Sequence, residues 1–226
     1  MIILTFYFLF LDLTMTNFIP IFPLNIVVYP GEDLNLHIFE PRYKQLITEC
    51  VEQKKNFGIP SVVNDKMAEL GTVMEIREVV KVHENGEMDI KTKGLNVFRV
   101  LETITTVPDK LYSGAIVKHI VTEDDGNREL MQKVMTSIRQ LHELLNVSKQ
   151  FSKPDEQLTS YDVAHHIGLS LEEEYEVLSL EREVQRQEYL RRHLSKVIPV
   201  VQEMESLKAR VKLNGHFKNL GGFDFK

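Results

Sequence analysis

The feature that most constrains the fold is a change of hydrophobic period near residue 122. From Phe18 to about Val121, apolar residues come in short or alternating runs cut by Pro, Gly and Asn, the pattern of a β-rich domain with tight turns. Beyond it they recur at three- and four-residue steps, the pattern of helices buried along one face. The chain therefore reads as α+β: a β-rich part over 17–122 and a helical part over 123–212. Residues 1–16 precede them and a tail, 213–226, follows. With 226 residues and 43% hydrophobic content, such a chain buries a core without covalent staples.

Within the first part, the prolines of Ile19-Pro20-Ile21-Phe22-Pro23-Leu24 restrict that run to an edge or irregular strand, since proline donates no ladder hydrogen bond. Tyr29-Pro30-Gly31-Glu32 is a turn. Leu34, Leu36 and Ile38 alternate with Asn35 and His37, so one face of that strand is buried. Pro41 suits the first position of a helix running to about Gln53, with Tyr43, Leu46, Ile47, Cys50 and Val51 as its apolar stripe. After Phe57-Gly58-Ile59 come a loop and a strand over 71–76. A hairpin is then expected to turn at Asn85-Gly86, where both residues tolerate the positive φ of a type I′ turn. Val97–Leu101 and Gly114–Val121 supply the remaining strands.

In the second part Asn127 is the expected N-cap of a helix whose face is Leu130, Met131, Val134, Ile138, Leu141, Leu144 and Leu145. Thr159 with Asp162, and Ser170 with Glu173, fit capping boxes opening two shorter helices, the first stopped by Gly168. A long helix follows from about Val184 to Val211, its seam formed by Leu190, Leu194, Val197, Val201, Met204 and Val211. Pro199 falls on the opposite face, where a kink costing about 3 kcal/mol is best tolerated.

Composition excludes several function classes. One cysteine rules out an internal disulfide and any multi-cysteine zinc site, which fits a reducing compartment and makes the cytoplasm the expected location. A net charge of -6 provides no general attraction for phosphate backbones. The apolar run Met1–Leu11 ends at Asp12, well short of the roughly 20 residues of a membrane span. It also lacks the flanks of a secretory signal. Met15 reads as the natural start and residues 1–14 as an upstream extension, with an atypical anchor or an extra strand as the alternatives.

Candidate chemistry is sparse. No Gly-x-x-x-x-Gly-Lys-Ser/Thr segment occurs to cradle nucleotide phosphates, and no Pro-Ser-Ala-Gly-like nucleophile segment occurs. Ser148-Lys149, Ser152-Lys153 and Ser195-Lys196 are adjacent pairs that read as solvated surface, and neighbours on a helix point about 100° apart, so Lys196 does not activate Ser195. His142-Glu143 lacks a second histidine one turn on, where Asn146 stands, and His165-His166 face different directions. No catalytic residue, metal ligand or cofactor is expected. Cys50 reads as core. Glu40 and Arg42, flanking Pro41, read as polar partners of a tight strand-to-helix junction. Lys91, Lys93 and Arg99 invite an RNA reading, but no aromatic is interleaved among Lys91, Lys93 and Gly94 to stack bases, and the acidic balance opposes it.

Phe22-Pro23-Leu24, Tyr29-Pro30-Gly31-Glu32 and His37-Ile38-Phe39-Glu40-Pro41-Arg42-Tyr43, in that order and spacing, resemble the opening of the Lon protease N-terminal domain. Gly71-Thr72-Val73, Lys93–Val100 and Leu169-Ser170-Leu171-Glu172-Glu173 resemble later signatures of that family, and the likeness covers roughly residues 17–212. It implies a PUA-like β-barrel subdomain with one packed helix, followed by an all-helical subdomain ending in a long helix. It also implies a non-catalytic module that binds unfolded or flexible polypeptide or a partner protein, without the ATPase and protease modules of a full-length Lon protease. Phe39, Tyr43 and Phe57, beside the signature junction, are the candidate polypeptide-binding residues. Weak self-association, RNA binding by a PUA-like fold, and an unrecognised hydrolase are the alternatives; no membrane partner is expected.

Overall fold

Six strands and five α-helices are built from residues 16–219, the part of the chain that the computed structural model describes. The expectation for residues 1–14 lies outside that range. The elements fall into two units. One runs through Asp124 and takes back Leu169–Arg182; the other comprises Asp125–Gly168 and the chain from Glu183.

In the first unit the strands are β1 (Thr16–Pro20), β2 (Asp33–Ile38), β3 (Phe57–Val63), β4 (Lys66–Val82), β5 (Met88–Ile104) and β6 (Gly114–His119). They form one antiparallel sheet in the order β1-β6-β5-β4-β3, with β2 also paired to β5. The proline-rich segment after β1 closes it. Ile21 bridges to Gly58 and Leu24 to Ser61, with Phe22 N–H donating to the Gly58 carbonyl at 2.8 Å. These bridges cover the β3 edge, which would otherwise template pairing with another chain. The result is the β-barrel the resemblance implied.

The strand read at 71–76, the hairpin flanking Asn85-Gly86 and the run at 97–101 are joined into the two long strands β4 and β5. Register shifts at Thr72/Met74, Ile76/Glu78 and Val79/Lys81 bend the pair, as bulges do where a sheet must curl. Gly71 sits at a close strand approach: a Cβ there would lie 2.4 Å from the Ile59 carbonyl oxygen.

The two hairpin turns exchange roles relative to expectation. Asn64 and Asp65, read only as loop, have φ of 52° and 59° and make the two-residue turn between β3 and β4. At Asn85-Gly86 only Gly86 is left-handed, with φ 76°. His83 N–H donates to the Glu87 carbonyl at 2.8 Å and Gly86 N–H to His83 at 2.9 Å, giving a three-residue loop. Asn85 acts through its side chain, which accepts from Glu87 N–H.

Helix α1 (Pro41–Gln53) buries Tyr43, Leu46, Ile47 and Cys50 among Phe22, Val28, Ile38, Phe57, Ile59, Met74 and Ile90. Val51 belongs to the stripe by spacing, yet it is exposed at the helix edge. A second cluster gathers Ile19, Ile21, Val73, Phe98, Ala115 and Val117. Helix α4 (Leu171–Ser179), opened by the Ser170–Glu173 capping box, belongs to this unit and not with the other helices, contrary to a boundary near 123. The reason is polar as well as apolar. Tyr29 Oη donates to the Glu174 carbonyl at 3.0 Å, and Leu70 N–H donates to Tyr175 Oη at 3.1 Å.

The second unit holds α2 (Arg128–Leu144), the short α3 (Ser160–Val163) and the long α5 (Glu183–Asn219). Asn127 caps α2, its side chain accepting from Leu130 N–H at 2.9 Å, and Thr159 with Asp162 boxes α3. Met131, Val134, Met135, Ile138 and Leu141 of α2 are buried, as are Leu190, Leu194 and Ile198 of α5, and the two helices pack together. Helix α5 runs unbroken through an exposed Pro199. The expected seam ends early: Met204 is 51% and Val211 70% exposed.

Candidate functional site

The signature at the end of β2 makes a tight turn into α1. Pro41 presets the first helical φ, and extended Glu40 precedes it. Arg42 Nε donates to Glu40 at 2.9 Å, so the two charges flanking Pro41 pair with each other, as expected of a junction. The guanidinium lies 4.4 Å from the centre of the Tyr43 ring, which stacks on Phe22 at 3.8 Å.

The three candidate binding aromatics separate on burial. Tyr43 is 6% exposed and Phe57 fully buried, so both are core residues under the junction. Phe39 is 59% exposed. Its ring lies 6.2 Å from that of His37, nearly parallel to it.

His37 belongs to a cluster that spacing did not reveal. Antiparallel register sets it directly opposite Asp89 of β5, and the hairpin brings His83 to the other side of the same carboxylate. His37 Nδ1 lies 2.7 Å from Asp89 Oδ1, and His83 Nε2 lies 2.7 Å from Oδ2. Glu87 approaches the other ring nitrogen of His37 at 3.2 Å. The Asp89 hydrogen bond raises the His37 pKa above its ordinary value despite the opposing effect of burial. The two histidines, His37 first, hold Asp89 below the usual carboxylate range. One donor atom from each of His37, His83 and Asp89 lies within 4.8 Å of the others, near enough to share a metal ion. The strand alternation that exposes His37 and the hairpin signal at Asn85-Gly86 were the available clues; neither specifies which residue faces which.

Other sequence candidates are structural. Lys91 pairs with Glu78 at 2.9 Å, Arg99 with Glu69 at 2.9 Å and Lys93 with Asp33 at 4.0 Å. The three cations thus have acidic neighbours and do not form a bare phosphate-binding stripe. Burial pushes the Cys50 thiol up to about 11, which keeps it protonated and inert at neutral pH. His142 Nε2 bonds to the His166 carbonyl at 2.9 Å, a link between helices. Ser195 Oγ donates to the Arg192 carbonyl, so it is not aimed at Lys196. No helix among the described residues is long and apolar enough to cross a membrane.

An antiparallel barrel unit carrying helices α1 and α4, joined in sequence to a helical unit, is the fold shared with known proteins. A Lon N-terminal domain protein from Xanthomonas campestris superimposes with a TM-score of 0.61 at 23% identity, over 77% of this chain and 96% of that one. The N-terminal domain of a Mycobacterium avium complex Lon protease gives 0.56 at 13% identity, over 79% and 98% respectively. At these identities the likeness concerns the fold. Membership comes from sequence: the family model of the ATP-dependent protease La (LON) substrate-binding domain matches residues 19–196. The chain belongs to that family.

Proposed function

We infer that this chain is a non-catalytic module that binds unfolded or flexible polypeptide segments. The observation carrying this reading is the family match across residues 19–196, which spans both units and names a substrate-binding domain. The absence of a phosphate-binding loop and of a serine-lysine nucleophile segment in these 226 residues agrees with it. Phe39 is the contact residue we assign, because an exposed aromatic on a rigid strand-to-helix junction offers apolar area at little entropic cost. Tyr43 and Phe57 hold that junction from beneath. The buried, protonated Cys50 suits a reducing compartment, and we place the protein in the cytoplasm.

The test is a binding comparison by fluorescence anisotropy, using one labelled polypeptide in permanently unfolded and in folded form. The unfolded form should bind more tightly by at least about tenfold, or about 1.4 kcal/mol. Phe39→Ala should weaken that binding while leaving the denaturant midpoint unchanged. Equal affinity for both forms overturns the reading, and so does ATP hydrolysis or polypeptide cleavage that persists through rigorous repurification. A steep loss of binding to single-stranded RNA with added salt would point instead to a nucleic-acid module.

A further inference from the structure

We propose that His37, His83 and Asp89 form a binding site for a divalent transition-metal ion of the zinc type, with Glu87 as the outer partner that orients His37. The donor set is the first argument. Two imidazoles and a carboxylate suit zinc, nickel or copper, whereas calcium and magnesium favour all-oxygen shells. A tetrahedral zinc ion with bonds of about 2.0–2.1 Å holds its ligands roughly 3.3 Å apart. One donor atom from each of the three residues already lies within 4.8 Å of the other two. Rotation of partly exposed side chains closes the difference.

The second argument is the environment of His37. Both of its ring nitrogens face carboxylates, Nδ1 towards Asp89 at 2.7 Å and Nε2 towards Glu87 at 3.2 Å. The 2.7 Å contact at Nδ1 is a hydrogen bond, and a metal ion takes the place of its proton, bridging the same two side chains. Nε2–H is then left to donate to Glu87, the carboxylate–histidine–metal relation that fixes tautomer and ring orientation. The two carboxylates together match the charge of a divalent ion.

Third, the backbone carries the ligands on paired strands and a closed turn, without a loop that must first order. His37 and Asp89 are register partners. His83 is held by the hairpin bonds to Glu87 and Gly86, and Lys44 Nζ ties α1 to the turn through the Asn85 carbonyl at 2.9 Å. Such preorganisation lowers the ordering cost of coordination. Side-chain exposures of 50%, 30% and 40% for His37, His83 and Asp89 leave an entry path and room for water at an open position.

The experiment is calorimetric titration of the chelator-treated full chain with zinc chloride, with cobalt(II) as a spectroscopic substitute. One ion should bind per chain, and cobalt should develop the intense visible bands of a low-coordinate site. His83→Ala and Asp89→Asn should each weaken zinc at least about tenfold, and Glu87→Gln by about tenfold, the usual range for an outer partner. His142→Ala, in the other unit, should have no effect. Circular dichroism and denaturant midpoints without metal confirm that each variant is folded. Asp89→Asn preserves side-chain shape, so it keeps the test interpretable if His83→Ala unfolds. No saturable binding below about 1 mM zinc overturns the proposal. An affinity unchanged in folded Asp89→Asn, or equally reduced in His142→Ala, also overturns it.

Discussion

In the helical unit, polar groups are mostly satisfied by near neighbours. Asn127 caps Leu130, Thr159 and Asp162 satisfy each other, and Glu188 takes Arg191 and Arg192. In the barrel unit they are satisfied across long stretches of chain. His37 meets Asp89 52 positions on, Tyr112 donates to Glu49 at a separation of 63, and Tyr29 reaches the Glu174 carbonyl at 145. Caps and i,i+4 pairs arise as soon as a helix forms, whereas cross-strand pairs require loops to close first. Order in the barrel is therefore expected to depend on register, and order in the helices on side-chain burial along one stripe.

Some bonds in the helical unit also span long stretches of chain, Asn127 N–H to Gln187 and His142 to the His166 carbonyl among them, and the buried group around Glu183 provides the strongest test. Glu183 is 2% exposed, yet it accepts from Ser160 N–H at 2.8 Å and Ser160 Oγ at 2.6 Å, and it pairs with Arg186 at 3.0 Å. Gln187 donates to it as well, at 3.1 Å. Glu183→Ala should cost about 3–5 kcal/mol, because it removes a buried charge partner of Arg186 and the acceptor of the Ser160 and Gln187 donors. Urea unfolding measures it. A loss under about 1 kcal/mol would mean that local caps alone hold the unit.

Next comes the apolar stripe itself. Leu194 is fully buried on α5, in the unit that also buries the α2 face. Leu194→Ala should cost about 2–5 kcal/mol. The loss should not vary with protein concentration; if it does, the stripe is completed by a second chain and not within this one.

In the barrel unit, Gly86→Val places a β-branched residue at φ 76°, with a cost of about 1–2 kcal/mol from the left-handed backbone alone. An unchanged midpoint would show that the hairpin turn shifts register freely and that register does not control this unit. Asn85→Ala should do less, since Asn85 lacks the positive φ and contributes one side-chain bond to Glu87 N–H.

The smallest effect marks the end of the helical stripe. Met204→Ala should change stability by no more than about 0.5 kcal/mol, as for a surface residue, although its spacing from Leu194 and Val201 is that of a seam position. A larger, concentration-dependent loss would identify the exposed stretch of α5 as a contact between copies.

What the chain's sequence determined unaided is what local physics controls. The change of period near 122 predicts a β-rich and a helical part. Pro41 and the stripe of Tyr43, Leu46, Ile47 and Cys50 predict α1 from its first residue to Gln53. Asn127, the Thr159–Asp162 pair and the Ser170–Glu173 pair mark three helix starts. Each of these signals acts over three or four positions. What only the tertiary structure decided depends on partners distant in sequence. Phe39 and Phe57 read alike as aromatics near the signature, and packing alone makes one a surface residue and the other core. Seam spacing continues to Val211, but Met204 and Val211 are exposed. The return of Leu169–Arg182 to the barrel unit hangs on Tyr29 and Tyr175 meeting backbone groups far along the chain. The meeting of His37, His83 and Asp89 is the clearest case. A metal-ligand motif on a helix shows itself by spacing, whereas ligands on paired strands are joined by register, and bulges and turns set that register only when the sheet assembles.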